Sequence, residues 1–113
     1  MRDLEKLKQE TGVDMMVKSA FHELGFANAD ELVTKSQLIR FVSGEIRKRG
    51  LTQSIAGELL GLDQPNVSAL MNEKIIRFSV EKLMEFSTRL GFSVSIHIEG
   101  NGVEFDVPVQ SAA

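Results

Sequence analysis

The sequence lacks cysteine, tryptophan and tyrosine altogether, and it has only two prolines among 113 residues. Without cysteine, the chain has no disulfide, no cysteine-ligated zinc, no iron–sulfur cluster and no thiol nucleophile. No apolar run approaches the ~18 residues that a membrane helix needs. Residues 1–6 also lack the apolar stretch of a signal peptide. We therefore expect a cytoplasmic protein with no membrane association.

The chain has few residues suited to catalysis or metal binding. Its two histidines, His22 and His97, lie far apart in the sequence and form no local metal-ligand motif. Carboxylate pairs such as Glu99 and Glu104 are typical of the solvated faces of amphipathic elements. The sequence has no evident Ser-His-Asp arrangement and no phosphate-binding glycine loop. We predict that the protein is not an enzyme and that it binds no metal and no cofactor.

What the sequence does have is the composition of one globular domain, with 42% hydrophobic and 26% charged residues. The formal net charge is −3, but residues 36–92 carry eight basic and six acidic side chains. Residues 93–113 carry three acidic side chains and no basic one. The basic excess in the middle would suit phosphate binding if it lay on one face, and it is equally typical of a solvated surface. The same two interpretations apply to the basic triplet at residues 47–49, at the end of a predicted helix.

The spacing of apolar residues predicts helices as far as residue 91. A helical arm is predicted over residues 1–27. A longer helix begins at Asn28, a favourable N-cap with Glu31 three residues later, and it ends at Gly50. Three shorter helices follow. The first is capped by Thr52 and runs to Leu60, the second is capped by Asp63 and runs to about Asn72, and the third is capped by Ser79 and runs to Leu90.

After residue 91 the hydrophobic period changes from that of a helix to that of a strand. Apolar and polar side chains alternate over residues 92–98 and again over 103–107, and Gly100-Asn101-Gly102 has the composition of a tight turn. We predict a β-hairpin over residues 92–108, ended by Pro108, and a flexible tail over 109–113. Because a lone hairpin is marginal in water, its apolar face must pack on the helices, pair with a second copy or accept a partner's strand.

Residues 51–74 predict two short helices joined by the three-residue turn Gly61-Leu62-Asp63. The small residues Ala56 and Gly57 would let the two helices approach closely. The start of the second helix is predicted to expose Gln64, Asn66, Ser68 and Ala69. Such a helix suits the DNA major groove, because amide side chains form paired hydrogen bonds with adenine and a helix N-terminus favours phosphate.

This segment resembles the helix-turn-helix of the Xre family, the lambda-repressor-like DNA-binding domains. The matching pieces are Leu51-Thr52-Gln53, Ala56, Leu60-Gly61, Gln64-Pro65, Val67-Ser68, Leu70 and Lys74. The resemblance extends over roughly residues 21–98, where residues 26–32 and 77–79 also match. It implies a mainly α fold: a lambda-repressor-like bundle of four to five helices, with the DNA-binding domain over residues 28–91 and the β-hairpin at the C-terminus.

The resemblance also implies which residues bind DNA. Gln53, which opens the first helix of the motif, would contact phosphate, and Lys74 would contact the DNA backbone just past the second helix. The full predicted set is Thr52, Gln53, Gln64, Asn66, Ser68, Ala69 and Lys74. The sequence departs from the family at Asp63, where Ser or Thr is common, at Glu73, where Gly is usual, and at Ala69, which offers no hydrogen bond. The two carboxylates would place anions near phosphate.

We therefore predict a sequence-specific DNA-binding transcriptional regulator that acts as a homodimeric repressor of its own operon. Many relatives in this subgroup resemble antitoxins that also neutralise an RNA-cleaving toxin, and the acidic ends of this chain are compatible with such a basic partner. Antitoxin and plain repressor remain equal alternatives from the sequence. The other alternative is a protein-interaction module that sequesters a partner, such as a toxin, through residues 1–24 or the hairpin, with DNA binding weak or lost.

Overall fold

The computed structural model describes residues 29–110 of the chain. The predicted arm over residues 1–27, the predicted N-cap Asn28 and the last three residues lie outside the described part. Within it, four α-helices precede two strands: α1 (Ala29–Lys48), α2 (Gln53–Leu60), α3 (Gln64–Met71), α4 (Val80–Arg89), β1 (Val94–Gly100) and β2 (Val103–Gln110). The predicted mainly α bundle with a C-terminal hairpin is confirmed.

Helix α1 ends two residues before Gly50, the glycine that the sequence indicated as its stop. Gly50 has φ 64°, a left-handed conformation that residues with a Cβ rarely adopt. The Gly50 N–H donates to the Arg47 carbonyl at 3.0 Å, and the Leu51 N–H donates to the Ile46 carbonyl at 3.2 Å. These two bonds form a Schellman motif, which satisfies carbonyls that the end of the helix leaves without partners. The motif turns the chain directly into α2.

Side-chain caps begin the three shorter helices. The Thr52 hydroxyl accepts from the Ile55 N–H at 3.2 Å, and the Asp63 carboxylate accepts from the Asn66 N–H at 3.0 Å. The Ser79 hydroxyl does the same for the Lys82 N–H at 3.0 Å. These three predicted N-caps are therefore confirmed, and each side chain satisfies one backbone donor that a helix start leaves free. The carboxylate of Asp63 is thus a structural cap of α3.

The core lies where the four helices meet. Side chains with almost no exposed surface come from every helix: Ile39, Val42 and Ile46 of α1, Leu60 of α2, Val67 and Leu70 of α3, and Leu83 and Phe86 of α4. Phe86 also packs edge-to-face on Phe78, with the ring centres 5.8 Å apart. Phe78 directly follows a turn of 3-10 helix, Ile75–Arg77, that the periodicity did not predict. This turn connects α3 to α4, and burial of Phe78 anchors its end. No helix among residues 29–110 is long and apolar enough to cross a membrane.

The predicted hairpin is present and is longer than expected. Asn101 and Gly102 both have positive φ, 50° and 76°, so they form the tight turn that pairs β1 antiparallel to β2. The prediction that Pro108 ends the second strand is wrong, because β2 continues to Gln110. The register shifts between Val94 and Ser95, next to the pair formed by Ser95 and Pro108. A proline is tolerated here because it lies beside this irregularity in an edge strand of a two-stranded sheet.

The outer half of the apolar face of the hairpin is not covered by helices α1 to α4. Cross-strand pairing places Ile98 opposite Phe105 and Ile96 opposite Val107, so these side chains share one face. Phe105 is 60% exposed and Ile98 is 52% exposed, although both are large and apolar. Of the three outcomes that the sequence left open for this face, packing on the helices within residues 29–110 is therefore excluded for its outer half.

Candidate nucleic-acid interface

The turn between α2 and α3 depends on a close approach at Gly57. A Cβ placed on Gly57 would lie 2.7 Å from the Leu62 carbonyl oxygen and 3.2 Å from Cγ2 of Val67. Gly61 then turns the chain with φ 70°, and the Leu62 N–H donates to the Gly57 carbonyl at 2.9 Å. The small residue at position 57 therefore sets how closely the start of α3 packs against α2. This compact pair of helices is the frame of the candidate interface.

Two glutamine side chains lie together at the start of these helices. Gln53, the first residue of α2, and Gln64, the first residue of α3, line the same open cleft of about 440 Å³. Both are exposed, and so is Thr52, whose hydroxyl already accepts the capping hydrogen bond from α2. The structure thus brings together three of the predicted DNA-binding residues at the N-terminal ends of two adjacent helices. Helix N-termini carry partial positive charge that favours phosphate.

Along α3, fewer of the predicted recognition residues are fully exposed than expected. Asn66 and Ser68 are half-buried, and the expectation that Ala69 is exposed is wrong, since only 4% of its surface is exposed. The chain turns back immediately after α3, and the Lys74 N–H donates to the Ala69 carbonyl at 3.0 Å. This turn brings Ala69 into the core with Leu70. Its lack of a polar group is therefore explained by burial, and its methyl group is not available to a base.

Glu73 lies at the tip of this turn, in a conformation that favours glycine. Its φ is 55°, and the Glu73 N–H donates to the Leu70 carbonyl at 3.0 Å, so the turn is a second Schellman motif with a non-glycine residue at its centre. A carboxylate oxygen of Glu73 accepts a hydrogen bond from the buried Ser43 hydroxyl at 3.2 Å. The anion expected near phosphate is thus linked to α1 by a hydrogen bond.

Two arginines of the basic triplet at the end of α1 hydrogen-bond to the ends of two other helices. Nη2 of Arg47 donates to the Met71 carbonyl at 2.7 Å, and Nη2 of Arg49 donates to the Leu90 carbonyl at 2.7 Å. Arg49 also pairs with Glu45 at 3.4 Å. These carbonyls lie at the C-terminal ends of α3 and α4, where the helix dipole favours a cation. Arg47 and Arg49 therefore stabilise helix ends, as one interpretation of the triplet expected. The helices that they stabilise are α3 and α4, and not α1, whose C-terminal end carries them.

Two further cations lie just beyond α3. Lys74 is exposed and precedes the 3-10 turn, and Arg77 is the last residue of that turn. Nε of Arg77 donates to Oδ1 of Asn66 at 3.2 Å. The role of Arg77 is not predictable from the sequence, because Arg77 and Asn66 are eleven positions apart and belong to different elements. No periodic pattern indicates this contact, which depends on the path of the turn.

A second polar cluster lies on the hairpin. His97 has Nδ1 at 2.7 Å from Asp106 and Nε2 at 3.2 Å from Glu99. Ligand atoms of His97, Glu99 and Glu104 all lie within 4.8 Å of one another, a spacing that a divalent cation could bridge. The pairing register places these residues on the hairpin face opposite Phe105 and Ile98. The cluster is therefore separate from the helix-turn-helix.

Comparison with known proteins places this architecture in a family. A model of the helix-turn-helix domain family matches residues 20–99. A solved structure described as an XRE family transcriptional regulator is 39% identical, with a TM-score of 0.63, and the match covers 66% of this chain and 84% of that chain. No curated protein matches the chain significantly.

The fold and these matches define a helix-turn-helix DNA-binding protein. More narrowly, the chain belongs to the Xre family of helix-turn-helix transcriptional regulators, as its sequence predicted. Members of this family are regulators that bind DNA, and the chain is accordingly not an enzyme.

Proposed function

We propose that this regulator recognises a specific operator by inserting the N-terminal half of α3 into the DNA major groove. The observation that carries the proposal is the shared cleft at which Gln53 and Gln64 are both exposed. In this arrangement Gln64 and Asn66 contact base edges, with Ser68 beside them. Gln53, Thr52 and Lys74 contact phosphates on either side, which fixes the register of α3 on the duplex.

We further propose that the regulator acts as a homodimer, joined through the exposed apolar faces of two hairpins. Phe105, Ile98 and Val103 are each more than half exposed, and a two-stranded hairpin with an uncovered apolar face is marginal by itself. Pairing with a second copy would bury these side chains. A twofold dimer would also place two recognition helices about one DNA turn apart, ~34 Å, which suits a palindromic operator.

Repression of its own operon is the regulatory role that we propose for this dimer. An antitoxin role is the second candidate, and the polar face of the hairpin favours it. That face carries three carboxylates, Glu99, Glu104 and Asp106, which would complement a basic partner protein. If the product of a neighbouring gene arrests growth and this chain relieves the arrest, the antitoxin role is supported. If the chain gives no relief, repression alone remains.

Operator binding is tested by the fluorescence anisotropy of labelled DNA from upstream of the gene, against a scrambled duplex, at two salt concentrations. The DNA carries the label because the chain has no tryptophan and no tyrosine. We expect Gln64→Ala to weaken operator binding by ~1–3 kcal/mol while leaving scrambled DNA unaffected. Lys74→Ala should weaken both duplexes alike and reduce the salt slope by about one. If neither substitution changes binding, the site is assigned wrongly, and the protein-interaction alternative gains support.

A further inference from the structure

We propose that Arg77 is a positioning residue that orients the Asn66 amide, so that α3 recognises guanine rather than adenine at the base pair facing Asn66. This inference rests on the proposed insertion of α3 into the major groove. It starts from the hydrogen bond in which Nε of Arg77 donates to Oδ1 of Asn66 at 3.2 Å.

Both residues are held by their backbones. The Asn66 N–H is bound by the Asp63 carboxylate at 3.0 Å, in the first turn of α3. The Arg77 N–H donates to the Lys74 carbonyl at 3.1 Å, and the next residue, Phe78, is buried in the core. The two backbones are therefore fixed before DNA arrives, and the hydrogen bond from Arg77 favours the amide orientation in which Oδ1 faces the guanidinium.

The orientation decides which base the amide can pair with. A free asparagine recognises adenine in bidentate fashion, because its oxygen accepts from N6 while its nitrogen donates to N7. In this protein Oδ1 faces Arg77 and accepts from it, so one of its two lone pairs is engaged and the two Nδ2 hydrogens become the more available groups of the amide. The remaining guanidinium N–H groups of Arg77 add further donors and no acceptor.

An edge on which donors predominate matches guanine, which presents the acceptors O6 and N7 in the major groove. Adenine would place its N6 amino group, a donor, against these donors. Arg77 thus acts on specificity through Asn66, and its positive charge also favours the approach of the DNA. Removing Arg77 frees Oδ1 and restores the ordinary preference of asparagine for adenine.

The experiment is a binding selection from a pool of randomised DNA duplexes, carried out with the full chain. The proteins compared are the wild type, Asn66→Ala, Arg77→Ala, Arg77→Lys and, as a matched control, Lys74→Ala. The base position whose preference changes in Asn66→Ala identifies the Asn66 contact. Circular dichroism checks that each variant is folded, which we expect because all three residues are at least partly exposed.

We expect the wild type to prefer guanine over adenine at this position by roughly tenfold, the scale of one good side-chain–base pairing. Arg77→Ala should reverse the preference toward adenine, and Arg77→Lys, which retains a donor, should restore part of the guanine preference. Lys74→Ala should lower affinity with the preference unchanged, because a phosphate contact carries no sequence information.

Three results would overturn the inference. Two of them leave the proposed function intact, and the third contradicts it as well. A wild-type preference for adenine would show that the amide has the other orientation. An unchanged guanine preference in Arg77→Ala, with lower affinity, would reduce Arg77 to a phosphate contact. Both leave operator recognition by α3 standing. Failure of the wild type to enrich any sequence would instead contradict the proposed function itself, and this inference with it.

Discussion

At the scale of single residues, three positions show how local geometry explains departures from the family pattern. Ala69 lacks a polar group because it is buried, and Asp63 is a helix cap whose carboxylate accepts from the Asn66 backbone. Glu73 has a left-handed φ and hydrogen-bonds to Ser43 of α1. Each of these residues looked unfavourable for DNA binding in the sequence. Each has a structural role in positioning α3 or the turn that follows it.

The same scale gives a prediction for two glycines. Gly57→Ala should destabilise the fold by ~1–3 kcal/mol, because its Cβ would meet the backbone oxygen of Leu62, which cannot move without shifting α3. Gly44→Ala is the matched control, because Gly44 lies within α1 and a Cβ placed there would have no atom within 4 Å. Gly44→Ala should raise the free energy of unfolding by ~0.5–1 kcal/mol, because alanine favours a helix over glycine. Urea unfolding followed by circular dichroism measures both, and equal effects at the two positions would contradict the close approach at Gly57.

At the scale of elements, the structure shows that the helices are stabilised by one another. The Arg47 guanidinium donates to the Met71 carbonyl at the end of α3, and Arg49 does so for Leu90 at the end of α4. Helices of eight residues, such as α2 and α3, are too short to be stable alone in water. Their caps, their packing against each other, and their packing on the longer helices, α2 on α4 and α3 on α1, therefore decide whether they form.

From this follows a prediction about the basic triplet. Arg47→Ala should lower the free energy of unfolding by ~1 kcal/mol, because α3 loses a charged hydrogen bond at its C-terminal end. The neighbouring exposed cation provides the control, and Lys48→Ala should change the free energy of unfolding by less than ~0.5 kcal/mol. Urea unfolding measures both variants. If instead Arg47→Ala leaves stability unchanged while DNA affinity falls, Arg47 contacts phosphate, which was the other interpretation of the triplet.

At the scale of the whole molecule, the chain has two surfaces with different chemistry. One is the exposed polar start of α2 and α3, and the other is the hairpin, with Phe105 and Ile98 on one face and Glu99, Glu104 and Asp106 on the other. A regulator that binds a palindromic operator needs both a surface for DNA and a surface for its second copy. The division of surfaces is consistent with the homodimer that we propose.

The dimer gives the prediction at this scale. Phe105→Glu should convert the protein to a monomer at micromolar concentration, because a charge cannot be buried in an apolar seam without a partner. Operator affinity should fall with it, while helical content should not change, because Phe105 is 60% exposed and outside the helical core. Glu104→Gln, on the opposite face, should remain dimeric. Multi-angle light scattering measures the mass of each variant. A wild type that is already monomeric would contradict the proposed hairpin dimer.

The local signals were sufficient for most of the fold. The caps at Thr52, Asp63 and Ser79 predicted where three helices begin, and Gly50 predicted the stop of α1, because capping depends on residues a few positions apart. The turn at Asn101 and Gly102 was predicted for the same reason. The 3-10 turn at Ile75–Arg77 was not, because a single turn has no period to detect.

The sequence by itself determined the family, the order of the elements and the two glutamines at the helix starts, since these depend on short-range pattern and on residue type. Only the tertiary structure decided that Ala69 is buried, that Arg47 supports α3 and that Arg77 holds Asn66. It also decided that the four described helices leave the outer half of the hairpin's apolar face exposed. Each of these depends on contacts between elements that are distant in the sequence. Burial and hydrogen bonding at such contacts follow from how the helices pack, which short-range sequence patterns do not specify.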